Sequence, residues 1–114
     1  MSVSSLRDVT QEVVRASHLL LGDKLDKVIL YGSYARGDYS HDSDIDIMIL
    51  VDIPKETCSE TRREIRRLLG RLEIEHDVVI SLFVTDTETF YNFQNDLPLY
   101  ANILGEGVVL SERS

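Results

Sequence analysis

The stretch LYGSYARGDYSHDSDIDIMIL, residues 30–50, decides the fold. It opens on the end of an apolar run, Leu25 to Tyr31 (LDKVILY), whose branched and aromatic side chains suit a short strand. Gly32 ends that run. Residues 33–43 (SYARGDYSHDS) are polar, with room for a short helix at their start. Ile45 to Val51 then form a second strand, closed by Pro54. Asp44 and Asp46 stand two apart at its head. Side chains alternate along an extended chain, so both aspartates share one face, with Cα atoms roughly 6.5–7 Å apart. Ile45, Ile47, Ile49 and Val51 take the opposite face and predict the core.

Outward from this stretch, helices and strands alternate. Leu6, Val9, Val13, Ala16 and Leu20 recur at spacings of three and four, which predicts a helix from residue 5 to about 22. Thr57-Cys-Ser-Glu60 matches a capping box, and the helix behind it carries Cys58, Thr61, Ile65, Leu68, Leu69 and Leu72 on one stripe. Arg62, Arg63, Arg66, Arg67 and Arg71 take its other face and read as solvated charge. Asp77 to Val84 (DVVISLFV) reads as a third strand. Thr85-Asp-Thr-Glu88 suggests a second capping box, opening a helix to about Asn95. Pro98 suits the first turn of another, to Leu104, and Val108 to Leu110 reads as a short edge strand. The order predicts an α/β (α+β) sheet, with strands two and three parallel across a helical crossover.

Composition bounds the function. The chain has 114 residues, 20 Asp and Glu against 12 Lys and Arg, and a formal net charge of -8. That length predicts one domain, residues 1–114, able to bury about 65% of its unfolded surface. The acidity speaks against a polynucleotide or an anionic membrane as partner. It leaves a metal-bound mononucleotide open, because a metal ion inverts the local sign. A lone cysteine, Cys58, permits no internal disulfide, and no apolar run approaches a membrane span. A cytoplasmic protein is the expectation.

The 32–46 segment has a chemical use at each position. Gly32 lacks a Cβ and lets backbone approach a ligand. Ser33 brings a hydroxyl and an N–H to a helix start, where phosphates bind. Arg36, one turn on, reaches the same phosphates as a planar fork. Asp44 and Asp46 suit Mg²⁺, which prefers carboxylate and phosphate oxygens. Asp77, polar at the head of an apolar strand, would stand beside them, share the metal and accept a proton from an attacking hydroxyl. Glu75, of the same parity, is the alternative. Two other motifs fail. Gly32 and Gly37 have the spacing of a Walker A loop, but residue 38 is Asp where Lys is needed. Asp42, Asp44 and Asp46 resemble a calcium loop, but Ile47 and Ile53 replace its Gly and Glu.

Gly-Ser, a ten-residue spacer and Asp-x-Asp together resemble the signature of the DNA polymerase beta superfamily of nucleotidyltransferases. The size and pattern are most similar to the minimal nucleotidyltransferases (MNT), the antitoxins of HEPN/MNT toxin–antitoxin pairs. The resemblance covers nearly the whole chain. It implies the nucleotidyltransferase fold, a mixed sheet with helices packed on one face and Mg-ATP bound on the other. It implies Gly32, Ser33 and Arg36 at the triphosphate, and Asp44, Asp46 and Asp77 as catalytic metal ligands. It also implies transfer of AMP to a tyrosine of a HEPN toxin. Two alternatives stay open: a homodimer acting on a small molecule such as an aminoglycoside, and a non-catalytic antitoxin that masks its toxin.

Remaining polar residues have plainer expectations. His41 reads as a surface-loop histidine, and His76 as a structural one on the third strand. His18 lies mid-helix without a matched ligand. Tyr34 and Tyr39 read as solvent-facing, and Cys58 as buried and inert. Met48 and Leu50, on the aspartate side, imply that the far part of that face is covered by the C-terminal helices or a partner.

Overall fold

In the computed structural model the described residues are 3–113, with side chains from residue 5 onward; the expected domain span of 1–114 reaches past them at both ends. Helix α1 spans Val3–Leu21 and strand β1 Leu25–Tyr31. A single helical turn, α2 (Ser33–Arg36), precedes β2 (Ile45–Val51). The long helix α3 (Cys58–His76) leads to β3 (Ile80–Asp86). Two shorter helices, α4 (Thr87–Phe93) and α5 (Pro98–Glu106), and strand β4 (Val108–Glu112) complete the order.

The four strands form one mixed sheet in the order β3-β2-β1-β4. β2 and β3 are parallel, as the strand–helix–strand pattern requires, while β1 runs antiparallel to β2 and to β4. Alternation along β2 sorts its side chains. Ile45, Ile47, Ile49 and Val51 point into a core shared with Val9 and Val13 of α1 and Ile65, Leu69 and Leu72 of α3. Met48 and Leu50 point the other way, against Phe90, Tyr100 and Ile103. The main helical layer, α1 and α3, thus packs on one face, and the C-terminal helices cover the far part of the other, as Met48 and Leu50 predict. α4 and α5 cover only the far half of the second face, because Met48 and Leu50 are apolar there and Asp46 is not.

Local chemistry departs from the sequence in three places. Thr57 spends its hydroxyl on the Pro54 carbonyl (2.7 Å) and makes no side-chain cap, so the first capping box does not form. The α4 cap is Asp86, which accepts from the Thr89 N–H at 2.9 Å, rather than Thr85. The arginine face of α3 is not wholly solvated. Arg62 and Arg66 donate to the Leu82 and Ile80 carbonyls at 3.3 and 2.8 Å, and Glu73 accepts from the Ile80 N–H at 2.9 Å. Arg66 and Glu73 also pair with each other. These contacts occupy the outer edge of β3, which would otherwise offer unpaired backbone to another strand.

Candidate active site

Three strands place a row of polar side chains at the uncovered end of the sheet. In register, Tyr31 of β1 faces Asp46 of β2, and Asp46 faces Ser81 of β3. The Ser81 hydroxyl hydrogen-bonds the Asp46 carboxylate. Burial, followed by the neighbouring Asp44 charge, pushes the Asp46 carboxyl above the usual carboxylate range, and Ser81 and Arg36 pull against that push. The same burial, with the Asp46 charge, raises the Tyr31 phenol. A partly desolvated carboxylate with a second, exposed carboxylate charge beside it is electrostatically suited to a cation. A two-carboxylate set fits Mg²⁺, which takes its remaining oxygens from phosphates and water. Among the described residues no group of three or more His, Cys, Asp or Glu could hold a metal ion.

Gly32 is indispensable to this geometry. Its backbone (φ 72°) lies in the region side chains rarely adopt, and a Cβ there would stand 2.1 Å from Asp46 Oδ2. Glycine is thus required twice: for the turn that starts α2 and for the approach of the carboxylate. Beyond it, the Gly37 and Asp38 N–H groups both donate to the Ser33 carbonyl, at 2.9 and 3.1 Å, and fold the loop back. Tyr34 anchors that loop from below. It is buried and stacks on Tyr39 with centroids 4.2 Å apart, which corrects the solvent-facing expectation. Burial, then the Tyr39 neighbour, raises the Tyr34 phenol.

Tyr31, Gly32, Ser33, Arg36 and Asp46 line one side of a shallow groove of about 340 Å³. Leu99, Asn102 and Glu106 of α5 form its other wall. Arg36 reaches across to Glu106 (3.1 Å) and also pairs with Asp38 (3.2 Å), so its guanidinium sits at the groove's mouth. The α5 wall escaped the sequence reading, although a nine-residue helix with Glu106 as its one charge was the available signal.

Asp77 does not head the third strand. α3 continues to His76, and Asp77 is its left-handed terminal residue (φ 52°), with its N–H on the Glu73 carbonyl. Aspartate tolerates that conformation. The apolar helix stripe Ile65, Leu69, Leu72 reaches His76 at the next interval of four, the cue that the helix runs on. Asp77 lines a separate hollow with Tyr34, His41, Asp42, Ser43 and His76, and the position beside Asp46 belongs to Ser81. Glu75 is no substitute, since it lies on α3 paired with Arg71 at 2.8 Å. Ser81 had its own signal, as the one polar residue between Val78 and Val84. His76 is a helix terminus rather than a strand residue. His41 is an exposed loop residue 3.3 Å from Asp42, as expected. His18 bonds Ser111 at 2.8 Å. Cys58 is half-buried against the core, and burial raises its thiol.

The model of the nucleotidyltransferase domain family matches residues 16–109. A protein of Methanocaldococcus jannaschii named "Putative protein adenylyltransferase MJ0604" is 35% identical over 100 residues, spanning 88% of this chain and 92% of that one. A second from the same organism, "Putative protein adenylyltransferase MJ0141", is 41% identical over 75 residues, 65% of this chain and 73% of that one. Among solved structures, one named "Structure of putative minimal nucleotidyltransferase" superposes with a TM-score of 0.64 at 22% identity, covering 95% of each chain. A toxin–antitoxin structure with AMP-PNP superposes at 0.59 and 18% identity, covering 92% of this chain and 74% of that one. At such identities the two structures speak for the fold. Among the described residues no helix is long and apolar enough to cross a membrane.

Proposed function

This chain belongs to the nucleotidyltransferase domain family, and from that premise we propose that it transfers AMP from Mg-ATP to a hydroxyl on a protein. The acceptor proposed is a tyrosine of a HEPN-type toxin, which the modification would silence. The observation that carries the reading is the pairing of Asp46 with Gly32. A partly desolvated carboxylate, repelled by Asp44, lies against a backbone position where a side chain is excluded. The protein adenylyltransferase names of the two relatives support a protein acceptor, and the toxin–antitoxin likeness supports a toxin.

In this reading Ser33 and Arg36 bind the triphosphate, with Arg36 exchanging Glu106 for phosphate oxygens. Asp44 and Asp46 would hold Mg²⁺, which supplies charge neutralisation on the phosphates when bound. The Ser81 hydroxyl fixes the Asp46 carboxylate by hydrogen bonding, so one of its lone pairs is already committed. The acceptor oxygen attacks the α-phosphorus, the new P–O bond forms, and the bond to the β-phosphate bridge breaks. Pyrophosphate leaves with the electron pair, and the acceptor proton passes to solvent or to a base on the acceptor protein. The row Tyr31, Asp46, Ser81 contains one carboxylate, so no second base comes from β3. Positioning and charge stabilisation do most of the work in such transfers.

The test is direct. The chain is mixed with the partner toxin and ATP labelled at its α-phosphate, with and without Mg²⁺. Label on a toxin tyrosine and a mass gain of one AMP are expected with Mg²⁺ and neither without it; with the label at the γ-phosphate the mass gain should persist while the toxin stays unlabelled. An unmodified toxin that is nonetheless neutralised, equally well by Asp44→Asn, would instead establish masking without chemistry.

A further inference from the structure

We propose that the outer surface of α5, from Leu97 to Val108, is the docking face for a protein that presents a basic and apolar surface to it. The proposal rests on the reading above only in supposing that the acceptor is a protein. α5 is anchored by Tyr100 and Ile103, both buried. Its other large apolar side chains are left in water: Leu99 and Leu104 are 46% and 48% exposed, and Leu97 and Val108, just outside its two ends, 43% and 46%. A helix lying on a sheet ordinarily turns charged residues outward. α5 carries one, Glu106, and that residue is paired with Arg36. Exposed leucine and isoleucine also occur on α3, at Leu68 and Ile74, but there they stand among arginines and glutamates.

Two further facts say what would cover α5. Leu99 shares the groove wall with Asn102 and Glu106, so the apolar surface runs directly into the cleft that holds Asp46 and Arg36. A protein seated on it presents its side chains at the groove's mouth. The charge around the surface is mainly acidic, because the cations at its margins, Arg36 and Arg113, are each already paired with two carboxylates. Residues 87–112 contain Glu88, Asp96, Glu106 and Glu112 and no Lys or Arg. A second copy of this chain pairing through the same face would oppose acid to acid, whereas a basic partner meets complementary charge. Complementarity of this kind sets orientation and speeds encounter, while the buried apolar side chains supply most of the affinity.

The test uses isotope-labelled full-length chain and two helical peptides, one of lysine and leucine and its glutamate–leucine counterpart. The expected result is that the lysine peptide perturbs backbone amides of residues 97–108 and binds at least about tenfold more tightly than the acidic one, about 1.4 kcal/mol. Leu104→Asp should weaken it about tenfold. Asp96→Lys, which leaves the apolar surface intact, should do so in a salt-dependent way. Perturbations centred on α3, equal binding of both peptides, or a free chain that is a dimer until Leu104→Asp separates it would each overturn the proposal. Transfer activity is not the readout. A chain that binds the lysine peptide here but modifies no protein refutes the transfer reading and leaves the docking face standing.

Discussion

The two faces of the one sheet are built to opposite ends. Against the first, α1 and α3 bury a continuous apolar layer, and α3 clothes its outside in arginine and glutamate. Two of those arginines and one glutamate also occupy the free edge of β3. Against the second, α4 and α5 cover Met48 and Leu50, with Tyr31 packed at the edge of that cover, and leave Asp46 half-buried and Ser81 exposed. α5 turns leucine rather than charge to water. The difference teaches where each kind of residue serves. The closed face supplies the free energy of folding. The open end gives some of it up, holding two repelling carboxylates and a glycine at positive φ so that a ligand can be received.

If that division is right, substitutions on the two faces should separate stability from activity. The largest effect is expected from Leu69→Ala on the closed face. Leu69 is fully buried, and its truncation should cost about 2–5 kcal/mol in urea unfolding. Transfer per folded molecule should stay near normal; a parallel collapse of both would break the comparison. On the open face, Asp46→Asn should do the reverse. Transfer should fall at least about 100-fold, some 2.7 kcal/mol of barrier. The metal-free protein should become slightly more stable at neutral pH. The sign follows from the raised Asp46 carboxyl, which burial and Asp44 cause. Such a group favours the folded state while protonated and loses that contribution as pH rises through its folded value. Removing the charge therefore helps most above that value, and the advantage in thermal midpoint should disappear on acidification towards the ordinary carboxylate range.

Gly32→Ala comes next, and it tests the hinge between the faces. The substituted Cβ would meet Asp46 Oδ2 at 2.1 Å in a backbone conformation already unfavourable to alanine. A loss of about 1–3 kcal/mol in stability is expected, together with loss of metal-dependent nucleotide binding, measured by titration calorimetry. Retained binding would mean that Asp46 can turn away without consequence.

The closed face was readable from sequence because it is periodic. Strands β1 and β2 have the bounds their apolar runs predict, and the even positions of β2 announced both the aspartates and the covered patch. The open end was half readable. Gly32, Ser33, Arg36, Asp44 and Asp46 lie within fifteen residues, so local spacing exposes them. Ser81 and the α5 wall reach the site through strand register and packing, which one sequence does not encode locally. Asp77 misled because VVISLFV reads as strand from its first valine. The helix before it ends in a left-handed aspartate, and β3 starts two residues later than the apolar run suggests.

The smallest effect sharpens the boundary between the faces, at Asp86, where β3 passes into α4. Burial would raise this carboxyl, but bonds from the Thr89 N–H and hydroxyl and from its own N–H, with Lys55 nearby, outweigh it and hold it below the ordinary value. A carboxylate so depressed adds stability at pH values above its unfolded value, and that contribution drains away as pH falls through the folded one. Asp86→Ala should therefore cost about 1 kcal/mol at neutral pH, the usual worth of an N-cap. The gap from the parent should hold down to the ordinary carboxylate range and close below it. Asp86→Asn keeps a capping oxygen without the charge, so it should recover most of the loss at neutral pH and show no such closure. Because α4 carries Phe90 onto Leu50 and Met48, either change should loosen the covered half of the open face first. Hydrogen exchange in α4 and α5 should then quicken while α1 and α3 keep their protection. Uniform quickening across both faces would mean that the sheet unfolds as one unit and that its two sides differ in chemistry alone.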